Sequence, residues 1–124
     1  MTIEELYQQI GGDYEQAQKV LRMDKLIDKH IRKLAQNEIF SNLFNASESL
    51  DPTAVFEAAH AIKGVCANLG LVSLSEKASE LAEEFRPGNG RNLSDEDVKA
   101  KIEAIREQFN NSVEGIKEYE ASQS

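Results

Sequence analysis

The chain has one cysteine, two prolines and no tryptophan in 124 residues. With Cys66 alone an internal disulfide is excluded, and a reducing compartment is the simpler expectation. Alternating runs of Val, Ile and Thr are missing, so strands are not expected. No apolar run approaches the roughly 20 residues needed to span a bilayer. The opening MTIEELYQQIGGDY lacks the charged-then-apolar pattern of a signal peptide, which makes a cytoplasmic location the expectation. Glycine-rich phosphate loops are absent as well. Gly11-Gly12 matches neither GxGxxG nor a Walker loop, and Gly88 and Gly90 follow no strand, so an ATP site is unsupported. No His, Cys and carboxylate spacing typical of zinc occurs, and a His30–His60 site would need further ligands; no metal is expected.

Positive charge is also scarce. Fourteen Lys and Arg stand against twenty-two Asp and Glu, for a net charge of −8. That balance argues against nucleic acid and against an anionic membrane surface, since both need clustered basic residues. What remains is an ordinary soluble composition, 40% hydrophobic and 29% charged. The length suits a single domain over 1–124 with one core, and a monomer is expected.

Local signals divide the chain into helices. Thr2 with Glu5 forms a capping-box pattern, and Gly11-Gly12 closes the short helix it opens. Asp13 caps a second short segment to about Leu21. Leu26, Ile27, Ile31 and Leu34 recur at helical spacing from Asp24, and Asn37 caps a continuation through Ile39, Phe40, Leu43 and Phe44. That continuation is expected to end in the polar run Asn45 to Ser49. Asp51-Pro52 reads as a capping carboxylate before a proline at the first helical position, with the helix running to about Leu69 and Gly70 in the left-handed position. Leu71 to Phe85 follows, with Leu74, Ala78, Leu81 and Phe85 on one face. Arg86 to Gly90 is a loop. Ser94 with Asp97 caps the last helix, whose face is Val98, Ile102, Ile105, Phe109, Val113 and Ile116. The expected fold is all-α: an antiparallel four-helix bundle with short N-terminal helices packed across it as a lid. Residues 1–22 form a helical extension and 121–124 a polar tail.

The candidate chemistry sits in the run from His60 to Gly70. At about 100° per residue, Val55, Ala59, Ile62, Cys66 and Leu69 stack into a core stripe, and His60 lies well over 90° from its centre. Cys66 is therefore a small buried apolar residue. Around His60 at helical spacing stand Phe56, Lys63, Gly64 and Ala67, apolar or small where a solvated face would carry Glu or Gln. Such an apolar surround marks a docking site. Glycine costs a helix roughly 1 kcal/mol against alanine, so Gly64 needs a reason, and close approach of a partner supplies one. Lys63 places a cation one turn from the ring, suited to phosphoryl oxygens. Histidine offers a free ring nitrogen near neutral pH. These groups suit a phosphoryl acceptor and not a hydrolase, because no serine, carboxylate or second histidine lies nearby in the helix to activate water. The plainer reading makes His60 an exposed polar residue and Gly64 a packing accommodation. His30, between Ile27 and Ile31, reads as structural or solvated.

HAIKGVCANLG, with Lys and Gly three and four residues after His60, resembles the signature of the histidine-containing phosphotransfer (HPt) domain. Ala67-Asn68-Leu69-Gly70 resembles that family's continuation, as do Leu74, Leu81, Ala82 and Arg86 before a glycine-containing loop. The resemblance covers residues 24 to 118. It implies a free-standing bacterial-type phosphorelay carrier in which His60 accepts a phosphoryl group from a receiver-domain aspartate and passes it to another receiver. Lys63 would stabilise the phosphate, Gly64 would admit the receiver, and Phe56 and Ala67 would line the docking surface. The receiver, or a hybrid histidine kinase carrying one, would bring Mg²⁺, so the chain needs no cofactor and is no ATP-dependent enzyme. Val65 departs from the small Ser or Ala common there, which implies tighter packing below the site. A helical adaptor that binds receivers or other signalling domains without phosphotransfer is the alternative, and a phosphohistidine phosphatase a third reading.

Overall fold

Helices begin in this chain where a short polar side chain can satisfy a free amide. The Thr2 hydroxyl accepts from the Glu5 amide at 3.1 Å while the Glu5 carboxylate accepts from the Thr2 amide at 3.0 Å. The Asp13 carboxylate accepts from Gln16 N–H, and the Asn37 side chain accepts from Ile39 N–H, each at 3.0 Å. The Ser94 hydroxyl accepts from Asp97 N–H at 3.1 Å. Each such cap contributes about 1 kcal/mol. The computed structural model describes residues 1–123, over which it places α1 (Ile3–Ile10), α2 (Tyr14–Leu21), α3 (Asp24–Leu34), α4 (Glu38–Ser49), α5 (Pro52–Asn68), α6 (Val72–Phe85) and α7 (Asp95–Gln123). Among the described residues there is no strand.

Three local readings of the sequence are corrected, at Asp51, at the C-terminal tail and at Leu26. Asp51 makes no side-chain cap bond, so α5 starts on Pro52 alone. As expected, α4 ends within the polar run, at Ser49, with Ala46 and Leu50 buried against the core. The tail after Glu120 is also helical, through Gln123, behind the buried Tyr119; Ser124 lies outside the described residues. Leu26 faces solvent instead of joining Ile27, Ile31 and Leu34 in the core.

Packing closes a ring in which α4 meets α5, α5 meets α6, α6 meets α7 and α7 returns to α4. Val55, Ala59, Ile62, Cys66 and Leu69 point into it from α5, and Leu74, Ala78, Leu81 and Phe85 from α6. The α7 stripe is buried at Val98, Ile102, Ile105 and Ile116, while Phe109 is half-buried and stacks on Phe40 with centroids 4.0 Å apart. Burying a side chain of this size contributes about 1.5–3 kcal/mol.

The N-terminal helices do more than lie across this ring. Ile3, Leu6, Tyr7 and Ala17 are buried in the same core. α1 reaches α7 at Gly115, where a Cβ would come within 2.6 Å of the Ile10 side chain. The buried Tyr7 hydroxyl donates to the Leu69 carbonyl at 2.6 Å, and Asp13 N–H donates to the Gly70 carbonyl at 2.7 Å. Both bonds tie α1 and α2 to the C-terminal end of α5. They fix the direction of the helix that carries His60.

Burial pushes the Cys66 thiol up to about 12 from an ordinary 9.0. The fold thus favours the neutral thiol. Its contribution to stability is complete below pH 9 and is lost as pH rises toward 12. Since only the thiolate reacts, native protein at pH 8 should resist a disulfide reagent such as DTNB and react fully once denatured. Rapid labelling of native protein would contradict the burial.

Candidate functional site

His60 is exposed on α5, with the buried Ala59 and Ile62 turned inward on the opposite side. The phasing expected from sequence is the one observed. Among the described residues, His60 makes no hydrogen bond or ion pair. Its one side-chain contact of note is with Phe56, one turn earlier, whose ring stacks on the imidazole with centroids 5.7 Å apart and planes 22° apart. This near-parallel, offset packing leaves the imidazole exposed.

Behind Phe56 stands Arg86, at the end of α6, its guanidinium 5.7 Å from the centre of the Phe56 ring. Glu83 holds that guanidinium through Nη2 at 2.7 Å and Nε at 3.0 Å. The hydrogen bond from Arg86 lowers the Glu83 carboxyl below its ordinary value, with the Lys63 charge adding in the same direction. In return, Glu83 raises the Arg86 guanidinium. Both groups are exposed, so this pair organises the site more than it stabilises the fold. Local spacing around His60 reveals neither residue, because both come from the next helix. The contact between α5 and α6 also includes the Ser75 hydroxyl, which donates to the Lys63 carbonyl at 3.1 Å.

Lys63 is half-buried one turn after His60, and among the described residues no carboxylate closes an ion pair with it. Gly64 is exposed, and a Cβ built there would meet nothing within 4 Å. Ala67 is exposed on the same side, while Asn68 reaches a cleft of about 310 Å³ lined also by Leu21, His30, Lys33, Leu34 and Val65. Val65, expected to tighten packing below the histidine, is half-buried against the core and also lines this cleft. His30 is exposed at its rim and remains apart from His60. Among the described residues, no group of three or more His, Cys, Asp or Glu side chains could hold a metal ion, and no helix is long and apolar enough to cross a membrane.

An all-helical chain that presents one histidine on a helix face, with a lysine and a bare glycine one turn on, is built like a phosphotransfer module. A family model for the Hpt domain matches residues 2–117, and the chain belongs to that family. Hpt domains work in two-component phosphorelays, where they interact with receiver domains and act as phosphocarriers without an ATP site. The match begins at residue 2, so α1 and α2 fall inside it, whereas the resemblance read from sequence starts at residue 24. No curated protein and no solved structure matches the chain.

Proposed function

We propose that His60 is the phospho-accepting residue of a carrier that exchanges phosphoryl groups with receiver domains. The observation that carries this reading is Gly64. Nothing inside the molecule fills the space a side chain would take there, yet glycine costs this helix about 1 kcal/mol. The cost is explained by a partner whose surface must come within contact distance of the imidazole. In the transfer, a ring nitrogen of His60 attacks phosphorus in line, the N–P bond forms, and the bond to the receiver's aspartate breaks as the carboxylate leaves. Lys63 balances charge on the phosphoryl oxygens, and Mg²⁺ held by the receiver completes the neutralisation. Phe56 and Ala67 form the apolar rim of the contact, with Phe56 also orienting the ring.

The direct test charges receiver domains of the source organism with labelled acetyl phosphate and mixes each with this protein. Acid-labile, alkali-stable label on the protein is the expected result. No transfer from any receiver would overturn the reading and leave the adaptor.

Gly64→Ala separates docking from folding. Alanine should stabilise α5 by about 0.5–1 kcal/mol, seen as a higher denaturant midpoint. Transfer from a charged receiver should nevertheless fall about tenfold or more, while charging by the small donor phosphoramidate stays unchanged. A mutant that is more stable and transfers normally would remove the argument from Gly64.

A further inference from the structure

Asn89 is the one asparagine of eight that precedes a glycine. It lies in the loop Arg86-Pro87-Gly88-Asn89-Gly90 that leaves α6, and every residue of that loop is exposed. Pro87 and Gly88 form its turn: Gly88 holds φ +94°, and Asn89 N–H donates back to the Arg86 carbonyl at 3.0 Å. The next residue is unencumbered. Among the described residues the Gly90 N–H donates to nothing, and a Cβ built on Gly90 would meet nothing within 4 Å. An asparagine side chain can be attacked by the backbone nitrogen that follows it. A side chain on the following residue crowds that approach, and a hydrogen bond from its N–H withdraws the nitrogen. The other seven asparagines all precede a residue with a side chain. Asn42, Asn45, Asn110 and Asn111 lie inside helices, where the following N–H serves the helix. Leu69 N–H, after Asn68, donates to the Val65 carbonyl, and Leu93 N–H, after Asn92, donates to Glu84 at 2.8 Å.

Asn89 is also tied to the group behind Phe56. Its Nδ2 donates to the Glu83 carbonyl at 3.0 Å, closing the end of α6, and the amide helps to lower the Glu83 carboxyl. Glu83 holds Arg86, and Arg86 backs Phe56. A carboxylate in place of this amide would lose the donor to the Glu83 carbonyl and set a negative charge at the negative end of α6. It would also offer Arg86 a second anion beside Glu83.

We propose that Asn89-Gly90 is a site of spontaneous deamidation, whose product loosens the end of α6 and draws Arg86 away from Phe56. The Gly90 nitrogen gives up its proton and bonds to the Asn89 Cγ, closing a succinimide ring. The Cγ–Nδ2 bond breaks, and the amide nitrogen leaves with that proton as ammonia. Water then adds at either succinimide carbonyl, which returns an aspartyl or an isoaspartyl link at position 89. Water is taken up and ammonia released, with no oxidant, reductant or cofactor. The carboxylate accumulates with time, so the loop records the age of the protein next to the ring that packs on His60.

The test incubates the full chain at about pH 8 and about 37 °C and follows peptide masses and released ammonia over days. A mass gain confined to position 89, the difference between NH₂ and OH, is expected, with aspartyl and isoaspartyl peptides separating on chromatography. The rate should rise with pH, because the attacking nitrogen must lose its proton. Gly90→Ala should slow the reaction about tenfold or more without lowering the melting temperature, since the position is open and its backbone is not left-handed. Asn89→Asp, which fixes the aspartyl product, should lower the melting temperature by a few degrees and move the Arg86 Nε–H resonance, and aged wild type should show the same displaced resonance. Deamidation no faster at Asn89 than at the other seven asparagines, or unchanged in Gly90→Ala, would overturn the site. Asn89→Asp melting as wild type with the Arg86 resonance unmoved would overturn its consequence. Neither readout involves phosphoryl transfer, so a failure here is distinct from a failure of His60 as acceptor.

Discussion

His60→Gln should carry no acid-labile phosphate from any receiver, a loss of at least about a thousandfold against wild type. Glutamine keeps a polar side chain of similar length but has no nucleophilic ring nitrogen, so the N–P bond has nowhere to form. The fold should barely respond. His60 is exposed and its ring contact is with Phe56 alone, and surface changes of this kind usually stay within about 0.5 kcal/mol. Unchanged melting with abolished transfer therefore assigns the chemistry to the side chain. Label retained by His60→Gln would move the acceptor elsewhere. Receiver binding that survives the substitution, together with no label on wild type, would establish the adaptor.

Gly70→Ala should do the reverse and strike the fold. Gly70 holds φ +71° and is buried, and a Cβ there would overlap the Asp13 carbonyl oxygen and press on the Ala17 amide at 3.1 Å. The left-handed backbone alone costs alanine roughly 1–2 kcal/mol. Relieving the overlap means moving α2 off α5 and losing the bond from Asp13 N–H to the Gly70 carbonyl, about 1 kcal/mol more. The total is about 3 kcal/mol, a fall in melting temperature on the order of 10 °C. A thermal melt within a degree or two of wild type would show that the α2–α5 junction yields more easily than its packing indicates. Gly64 and Gly70 lie six positions apart, and the same substitution should stabilise at one and destabilise at the other. Only at Gly70 does the rest of the chain occupy the space.

This contrast marks what the sequence makes legible. Helix starts at Thr2, Asp13, Asn37 and Ser94 are local, because the cap and the amide it serves lie two or three residues apart. The inward stripe of α5 is periodic, so the outward placement of His60 can be read as well. Asp51 shows the limit: a residue type suited to capping makes no cap bond when proline already starts the helix. Contacts between distant segments leave no such trace. Tyr7 reaches Leu69 across 62 residues, which is why α1 and α2 read as an extension and prove to be part of the core. The Arg86–Phe56–His60 stack joins two helices through ring geometry, and no spacing within either helix announces it. Leu26 fits the period of α3 yet lies outside, because periodicity identifies a face but not its width.

The Phe56 ring has one more use, as a built-in reporter. An aromatic ring stacked 5.7 Å from an imidazole places the carbon-bound protons of His60 in its ring current, which displaces their resonances from those of a free histidine. Anything that turns the imidazole, whether a docked protein or a covalent group on a ring nitrogen, changes that displacement. A one-dimensional proton spectrum with two histidines in the chain would then follow the state of His60 continuously, with His30 as the internal reference and no radioactive label.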